Sequence, residues 1–408
     1  MTSRQLHPGS GNHRLFLAYR IVSRCYFHLP VLLLYFWSID MGMYRIIFLL
    51  ALYGLTSTFS SGIPGWLLCF CTPKQTVIFG ELMKALGMGV MLWSTRQSEV
   101  NLPLLVVSQL LGGAGFTIAL TTDAALLRQL TEGDQHRFMQ IQTTSQSGMF
   151  IATLIAGSLG SILFDYNPQW PFMAAIAVSM ISSGCIFVIR TQSGGQKLAQ
   201  SNDNPAFSPR TDQLFWMMFY SISRSFTLAP FIGFIPFYFI MVNVDPLLFG
   251  AVLSCFTLSS WGAIRIAGPF ITRFGVAALL TTTSLFMSAA LGLFACNEWL
   301  SAKGIDYFIS GLLALVLLGF GSGTIRPITL ANLDLSANSP AERMHIFSRM
   351  ERDFGLINTF LLAVGAWLLV SKGFTTLMLI FCLFYISVVC VSAVFYLKNL
   401  RSREHSSI

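Results

Sequence analysis

Six basic side chains stand inside stretches that are otherwise apolar: Arg20, Arg24, Lys84, Arg224, Arg265 and Arg326. At the centre of a bilayer such a charge costs roughly 3 kcal/mol, so it must face a protein interior or a wet cavity. The chemistry open to an arginine there is anion recognition, because its planar fork of donors matches carboxylate and phosphate oxygens. Acidic residues are scarce in the same stretches, where Asp123 is the clearest and Asp334 lies at the end of its segment. A cavity with surplus positive charge attracts anions and repels cations. Arg24, Arg224, Arg265 and Arg326 are therefore the candidate substrate-binding residues, for an organic anion carrying carboxylates. Tyr26 and Trp261, with Tyr35, Trp37, Tyr220 and Tyr238, are candidates for the apolar wall of the pocket.

Plainer readings stand beside these. Arg20 and Asp123 lie at similar depth and can pair, as buried charges normally do. Arg265 and Arg326 are close enough to segment ends to snorkel to an interface. Trp37 and Tyr238, near segment ends, suit interfacial anchors. His28, two residues before Pro30, titrates near neutral pH if unperturbed and could pass protons. A lone histidine among helices is more commonly just hydrogen-bonded. Asp123 and His28 are the candidate proton-coupling residues. No phosphate-cradling loop, H-E-x-x-H or Ser/His/Asp arrangement is present, so neither an enzyme nor a cofactor is expected. The eight cysteines are scattered, and Cys69 with Cys71, lacking a nearby histidine, makes a weak metal motif.

The elements that carry these residues follow from composition. Hydrophobic residues make up 54% of the 408-residue chain and charged residues 10%, against about 25% charged in soluble domains. An all-α integral membrane protein is expected. The net charge of +8 does not point to nucleic acid, because the charges gather in short loops. A helix crossing the hydrocarbon needs roughly 20 residues. Twelve spans fit, at roughly 15–37, 44–70, 76–95, 102–127, 143–164 and 170–190, then 213–240, 247–271, 276–296, 306–331, 354–371 and 374–397. The stretch 191–212 is rich in Ser, Gly, Asn, Gln and Pro and reads as a flexible linker. It divides the chain into a six-helix bundle over 1–190 and a second over 213–408.

Basic residues set the orientation by the positive-inside rule. Lys74, Arg137, Arg190, Arg210, Arg273, Arg343, Arg349, Lys398 and Arg401 fall on one side, and Arg45, Arg96, Lys303 and Lys372 on the other. Both termini are then cytoplasmic. The polar first 14 residues and the long apolar run after them do not form a cleavable signal peptide.

The chain is also duplicated. Ser23-Arg24 precedes Pro30 in the first apolar segment, and Ser223-Arg224 precedes Pro230 in the seventh, 200 residues later. Arginine and proline are both costly inside an apolar helix, so the recurrence is informative. Leu111-Gly112 matches Leu318-Gly319, and Arg137 matches Arg343. Two halves crossing in the same sense are parallel repeats about an axis along the membrane normal.

Twelve spans, duplicated halves and a polar linker resemble the major facilitator superfamily (MFS). Members carry glycine, an Asp-Arg pair, then glycine and basic residues in the loop after span two. The matching stretch here, Gly65 to Lys74, keeps those two residues but has Cys69 and Phe70 in place of Asp and Arg. The counterpart after span eight keeps Gly268, Arg273 and Gly275, with Thr272 at the acidic position. The family uses this loop to lock its halves on the cytoplasmic side, so a different lock is expected. Candidate gating residues are the pair Glu81 and Lys84, Arg273, and the run Arg349, Glu351, Arg352 and Asp353. Local pairing and solvated loop charge are equally good readings of these. Span four, from Gly112-Gly113-Ala114-Gly115 to Thr121-Thr122-Asp123, resembles a stretch of some bacterial exporters. Span five has Gly148, Gly157 and Gly160 but no Gly-Pro pair, so the family's antiporter signature is incomplete.

The resemblance implies a monomeric secondary transporter of the bacterial inner membrane, working by alternating access, with spans one, four, seven and ten around the central cavity. The expected partners are a small anionic substrate, the bilayer and protons, with no nucleic acid. The arginines sit mainly toward the cytoplasmic side, which favours proton-coupled export of a metabolite such as a carboxylate siderophore. The alternatives are a multidrug efflux transporter and a non-transporting receptor of the same fold.

Overall fold

The computed structural model describes residues 10–96, 100–131, 134–190, 210–336 and 340–406. The expected linker falls almost wholly outside the described residues, as do the side chains of Asp334, Arg343, Lys398 and Arg401. The described residues are helical throughout, and ten helices among them are long and apolar enough to cross a membrane.

Two departures from regular helix separate that ten from twelve. The longest helix, Pro246–Ala295, contains spans eight and nine, divided at Gly275 with φ 83° and ψ 169°. Only glycine takes that backbone geometry without strain. The first span is the other case. It is broken into α1 (Ser10–Val22) and α2 (Leu32–Ser38), joined by turns, where the sequence predicts one helix over 15–37. Pro30, which lacks an N–H, helps break the ladder.

The remaining spans are α3 (Met43–Phe59, extended through a 3-10 turn and Ile63–Leu67), α4 (Pro73–Ser94), α5 (Leu102–Leu130), α6 (Gln135–Tyr166) and α7 (Trp170–Val188). Then come α8 (Thr211–Ala229, continued by a π turn over Pro230–Phe234 and by Ile235–Met241), α9 (Pro246–Ala295), α10 (Tyr307–Ser336), α11 (Pro340–Lys372) and α12 (Phe374–Ser406). Helix starts are written locally. At α4, Thr72 and Gln75 cap each other and Pro73 follows; this reciprocal box satisfies donors that the first turn leaves open. At α5, Asn101 Oδ1 accepts from Leu104 N at 3.2 Å.

The chain divides into two compact units. The first comprises Met1–Asp40, Leu52–Asp203 and Pro246–Ala251, the second Met41–Ala51, Asn204–Asp245 and Val252–Ile408. Within the first, α5 is clasped on two sides through glycine. A Cβ on Gly113 would stand 2.6 Å from Tyr53 O of α3, and one on Gly115 would stand 2.7 Å from Gly80 O of α4. Within the second, α10 packs through glycine on the span-eight part of α9. A Cβ on Gly319 would stand 2.5 Å from Phe256 O and one on Gly323 would stand 2.3 Å from Ser260 O, both of α9. Small residues let membrane helices approach this closely where no hydrophobic effect drives them together. Hydroxyls tie the same seams: Ser57 Oγ lies 2.6 Å from Thr117 Oγ1, and Ser260 Oγ donates to Gly319 O at 2.9 Å.

Candidate functional site

In the first unit the break between α1 and α2 presents Arg24. Its Nη1 donates to Tyr26 Oη at 2.5 Å, and its Cζ lies 6.0 Å from the Tyr26 ring and 5.8 Å from the Phe116 ring of α5. No carboxylate forms an ion pair with Arg24 among the described residues, and its buried Nε has no hydrogen-bond partner there. Aromatic faces attract a guanidinium, and Asp123 of α5 adds a longer-range attraction. Tyr53 of α3 backs the group, 6.3 Å from Phe116 between ring centres.

The turn is held down by α6. Thr153 Oγ1 donates to Arg24 O at 3.1 Å, and a Cβ on Gly160 would stand 1.9 Å from Phe27 O. Of the span-five glycines, Gly160 serves this close contact, while Gly148 packs on Ile21 of α1. His28 packs edge-on to Tyr26 at 6.3 Å and against Phe172 of α7 at 6.0 Å. Its Nδ1 is buried without a hydrogen-bond partner among the described residues.

The other intramembrane charges of this unit are paired. Arg20 Nε lies 3.2 Å from Asp123 Oδ2, and Nη1 also donates to Gln142 Oε1 and to Ser145 Oγ. Lys84 Nζ lies 2.7 Å from Glu81 Oε2, one helical turn away on α4 and buried. The sequence offers Glu81 and Lys84 as gating residues. The structure places them as a desolvated pair beside the glycine seam between α4 and α5.

In the second unit, Arg224 also meets a tyrosine and a second ring, although Tyr220 precedes it by four residues where Tyr26 follows Arg24 by two. Its Nη1 donates to Tyr220 Oη at 2.5 Å, and its Cζ stands 5.2 Å from the Tyr220 ring and 4.9 Å from the Phe354 ring. Tyr220 Oη in turn donates to Glu351 Oε1 at 2.7 Å, and Arg326 Nη2 lies 3.6 Å from the same oxygen. Helices α8, α10 and α11 therefore meet in a chain running Arg224, Tyr220, Glu351, Arg326. Serines bring α8 and α11 close, with Ser221 Oγ donating to Met350 O and Ser225 Oγ to Phe354 O.

This corrects the sequence reading of Glu351. The sequence groups it with Arg349 and Asp353 in a charged run ahead of a span expected to begin at 354. The helix begins at Pro340, and the apolar run within it begins at Phe354, just after this charged stretch. Positions four apart share a helix face, whereas a residue midway between them turns away. Arg349 Nε accordingly lies 3.8 Å from Asp353 Oδ2, while Glu351 turns to Tyr220. Glu351 was overlooked as a partner of Tyr220 because helix α11 extends well ahead of its apolar run. The spacing of Tyr220 and Arg224, four apart, is the one signal of this cluster visible beforehand.

Two further candidates stand apart from both clusters. Arg265 lies over the Trp261 ring at 5.1 Å, and Arg273 over Phe274 at 5.2 Å, all exposed. Lys74, kept from the family's loop, reaches back within its own unit. Its Nζ donates to Phe187 O and Ile189 O, each at 2.8 Å, capping the C-terminal end of α7. Among the described residues no group of three or more His, Cys, Asp or Glu could hold a metal.

Two units of long apolar helices packed through glycine, with part-buried arginines 200 residues apart, define a polytopic membrane protein by fold. The sequence matches the Major Facilitator Superfamily model over residues 25–243, and the chain belongs to that family. No curated protein is similar to it in sequence. Among solved structures it resembles the nucleoside transporter NupG (TM-score 0.73, 14% identity, covering 94% of this chain and 99% of that one). It also resembles an auto-inhibited peptide transporter of the POT family (0.76, 12%, 94% and 96%) and a D-xylose-proton symporter (0.69, 12%, 94% and 95%).

Proposed function

We propose that this protein is a secondary active transporter of small organic anions, coupled to protons and working by alternating access. The observation that carries the reading is Arg24. It is a part-buried guanidinium that meets one tyrosine hydroxyl and two aromatic faces and, among the described residues, no carboxylate at ion-pair distance. Within that unit, Arg20 and Lys84 have acidic side chains at ion-pair distance, whereas Asp123 acts on Arg24 only from farther off. An anionic cargo supplies the missing charge, and the surrounding rings suit a cargo with a flat or apolar body. The setting is a bacterial inner membrane, with both termini cytoplasmic and a single chain as the working unit.

The test is binding and flux in proteoliposomes. Arg24→Ala should weaken an anionic ligand far more than its neutral analogue, and Arg24→Lys should restore part of the loss. Equal losses for both ligands would make Arg24 a structural residue and end the anion reading. Binding without flux would identify a receptor.

A further inference from the structure

The two arginines of the duplicated motif keep different company. Arg224 lies close to its rings, with Cζ 5.2 Å from the Tyr220 ring and 4.9 Å from the Phe354 ring, and its tyrosine is bound in turn to Glu351. Around Arg24 the rings stand farther off, at 6.0 Å for Tyr26 and 5.8 Å for Phe116. Both lie near the outer limit, about 6 Å, at which a ring face holds a cation. Tyr26 takes Nη1, and Nε has no hydrogen-bond partner among the described residues. The edge formed by Nε and Nη2 is therefore left for the two oxygens of a carboxylate.

The surroundings of Arg24 are aromatic and reachable. Phe116 and Tyr53 have ring centres 6.3 Å apart and planes inclined at 49°. The Tyr53 hydroxyl is within electrostatic reach of both Arg24 and Tyr26. Arg24, Tyr26, Tyr53 and Phe116 are all partly exposed, in a unit where Arg20, Asp123, Glu81 and Lys84 are buried as pairs. The α5 backbone makes the place for Tyr53. A Cβ on Gly112 would stand 3.1 Å from Tyr53 Cε2, and one on Gly113 would stand 2.6 Å from Tyr53 O. Gly112 lies one turn from Phe116 on the same helix face. Without a side chain there, the Tyr53 ring can lie alongside Phe116.

We propose that this seat takes an aromatic carboxylate: the carboxylate pairs with Arg24, and the ring attached to it packs against Phe116 and Tyr53. The inference rests on the anion reading above and adds to it the class of cargo and the residue, Phe116, that selects it. Ring pairs are favourable at centre distances of about 4.5–7 Å. Phe116 lies 5.8 Å from the Arg24 Cζ, so a ring joined directly to a carboxylate on that arginine falls within this range. Flatness is then what the seat reads. A wall that was merely apolar would favour a saturated ring, which has more apolar surface to bury.

The experiment uses the full-length protein in lipid nanodiscs at neutral pH, with binding followed by calorimetry. Three ligands of similar size are compared: benzoate, cyclohexanecarboxylate with the same charge on a puckered ring, and benzamide with the same flat ring and no charge. Benzoate should bind roughly two- to tenfold more tightly than cyclohexanecarboxylate, and far more tightly than benzamide. Phe116→Leu keeps the bulk and loses the ring. It should erase or reverse the preference for benzoate over cyclohexanecarboxylate while keeping the preference of both over benzamide. Equal or tighter binding of cyclohexanecarboxylate by the wild type overturns the aromatic seat and leaves the anion reading standing. A benzoate preference that survives in full in Phe116→Leu overturns the selecting role of Phe116. Benzamide binding as well as benzoate, or no binding of either carboxylate, overturns the anion reading itself and this inference with it. The wild-type comparison alone decides the class of cargo if the variant does not fold.

Discussion

Arg20 Nε lies 3.2 Å from Asp123 Oδ2, and both side chains are under a tenth exposed. The pair joins α1 to α5, and Gln142 and Ser145 of α6 complete the arginine's bonding. Removing one member of such a pair strands the other charge in a dry interior. Replacing both with apolar groups of similar size can be neutral.

Asp123→Asn should therefore destabilise the protein by about 3–5 kcal/mol, read as a lowered unfolding temperature in detergent. Arg20→Met with Asp123→Leu should recover most of that loss and keep transport driven by a proton gradient. A stable double variant that has lost gradient-driven transport while retaining exchange would return Asp123 to the coupling mechanism.

Gly160→Ala should be far more damaging than a helix alanine ordinarily is. Its Cβ would stand 1.9 Å from the backbone oxygen of Phe27, which cannot move without moving the turn that carries Arg24. Gly89 of α4 has nothing within 4 Å, so Gly89→Ala is the control and should gain about 0.5–1 kcal/mol from helix propensity. Thermal unfolding of the two variants side by side gives the answer; similar effects would contradict the tight contact.

Lys74→Ala should act locally. The cap on Phe187 O and Ile189 O would be lost, and hydrogen exchange should quicken at the end of α7 while the global unfolding temperature moves little. A large global loss would mean that Lys74 supports more than this helix end.

Span number, duplication and the cost of buried arginine were legible in the sequence because each is written in composition or spacing. Pairing was legible most directly where partners share a helix, as Glu81 and Lys84 do. The Arg20 and Asp123 pair could be offered as one reading because depth can be counted along two spans. Glu351 was not legible as a partner of Tyr220, since the apolar run that defines span eleven starts just after it and helix α11 starts nine residues before Arg349. The break in span one was hidden for a related reason. Its residues are as apolar as a helix needs, and the contact that permits the break is made by Gly160, more than a hundred residues away.

Pro30 and Pro230 occupy equivalent places in the two copies, yet one lies in a run of turns and the other opens a π turn within an unbroken rod. Descent from a common ancestral segment has not kept the two interchangeable. Grafting the seventh-span stretch into the first would deliver a straight shaft where the neighbouring glycine has left space only for a bent one. The halves of this molecule are siblings that can no longer wear each other's parts.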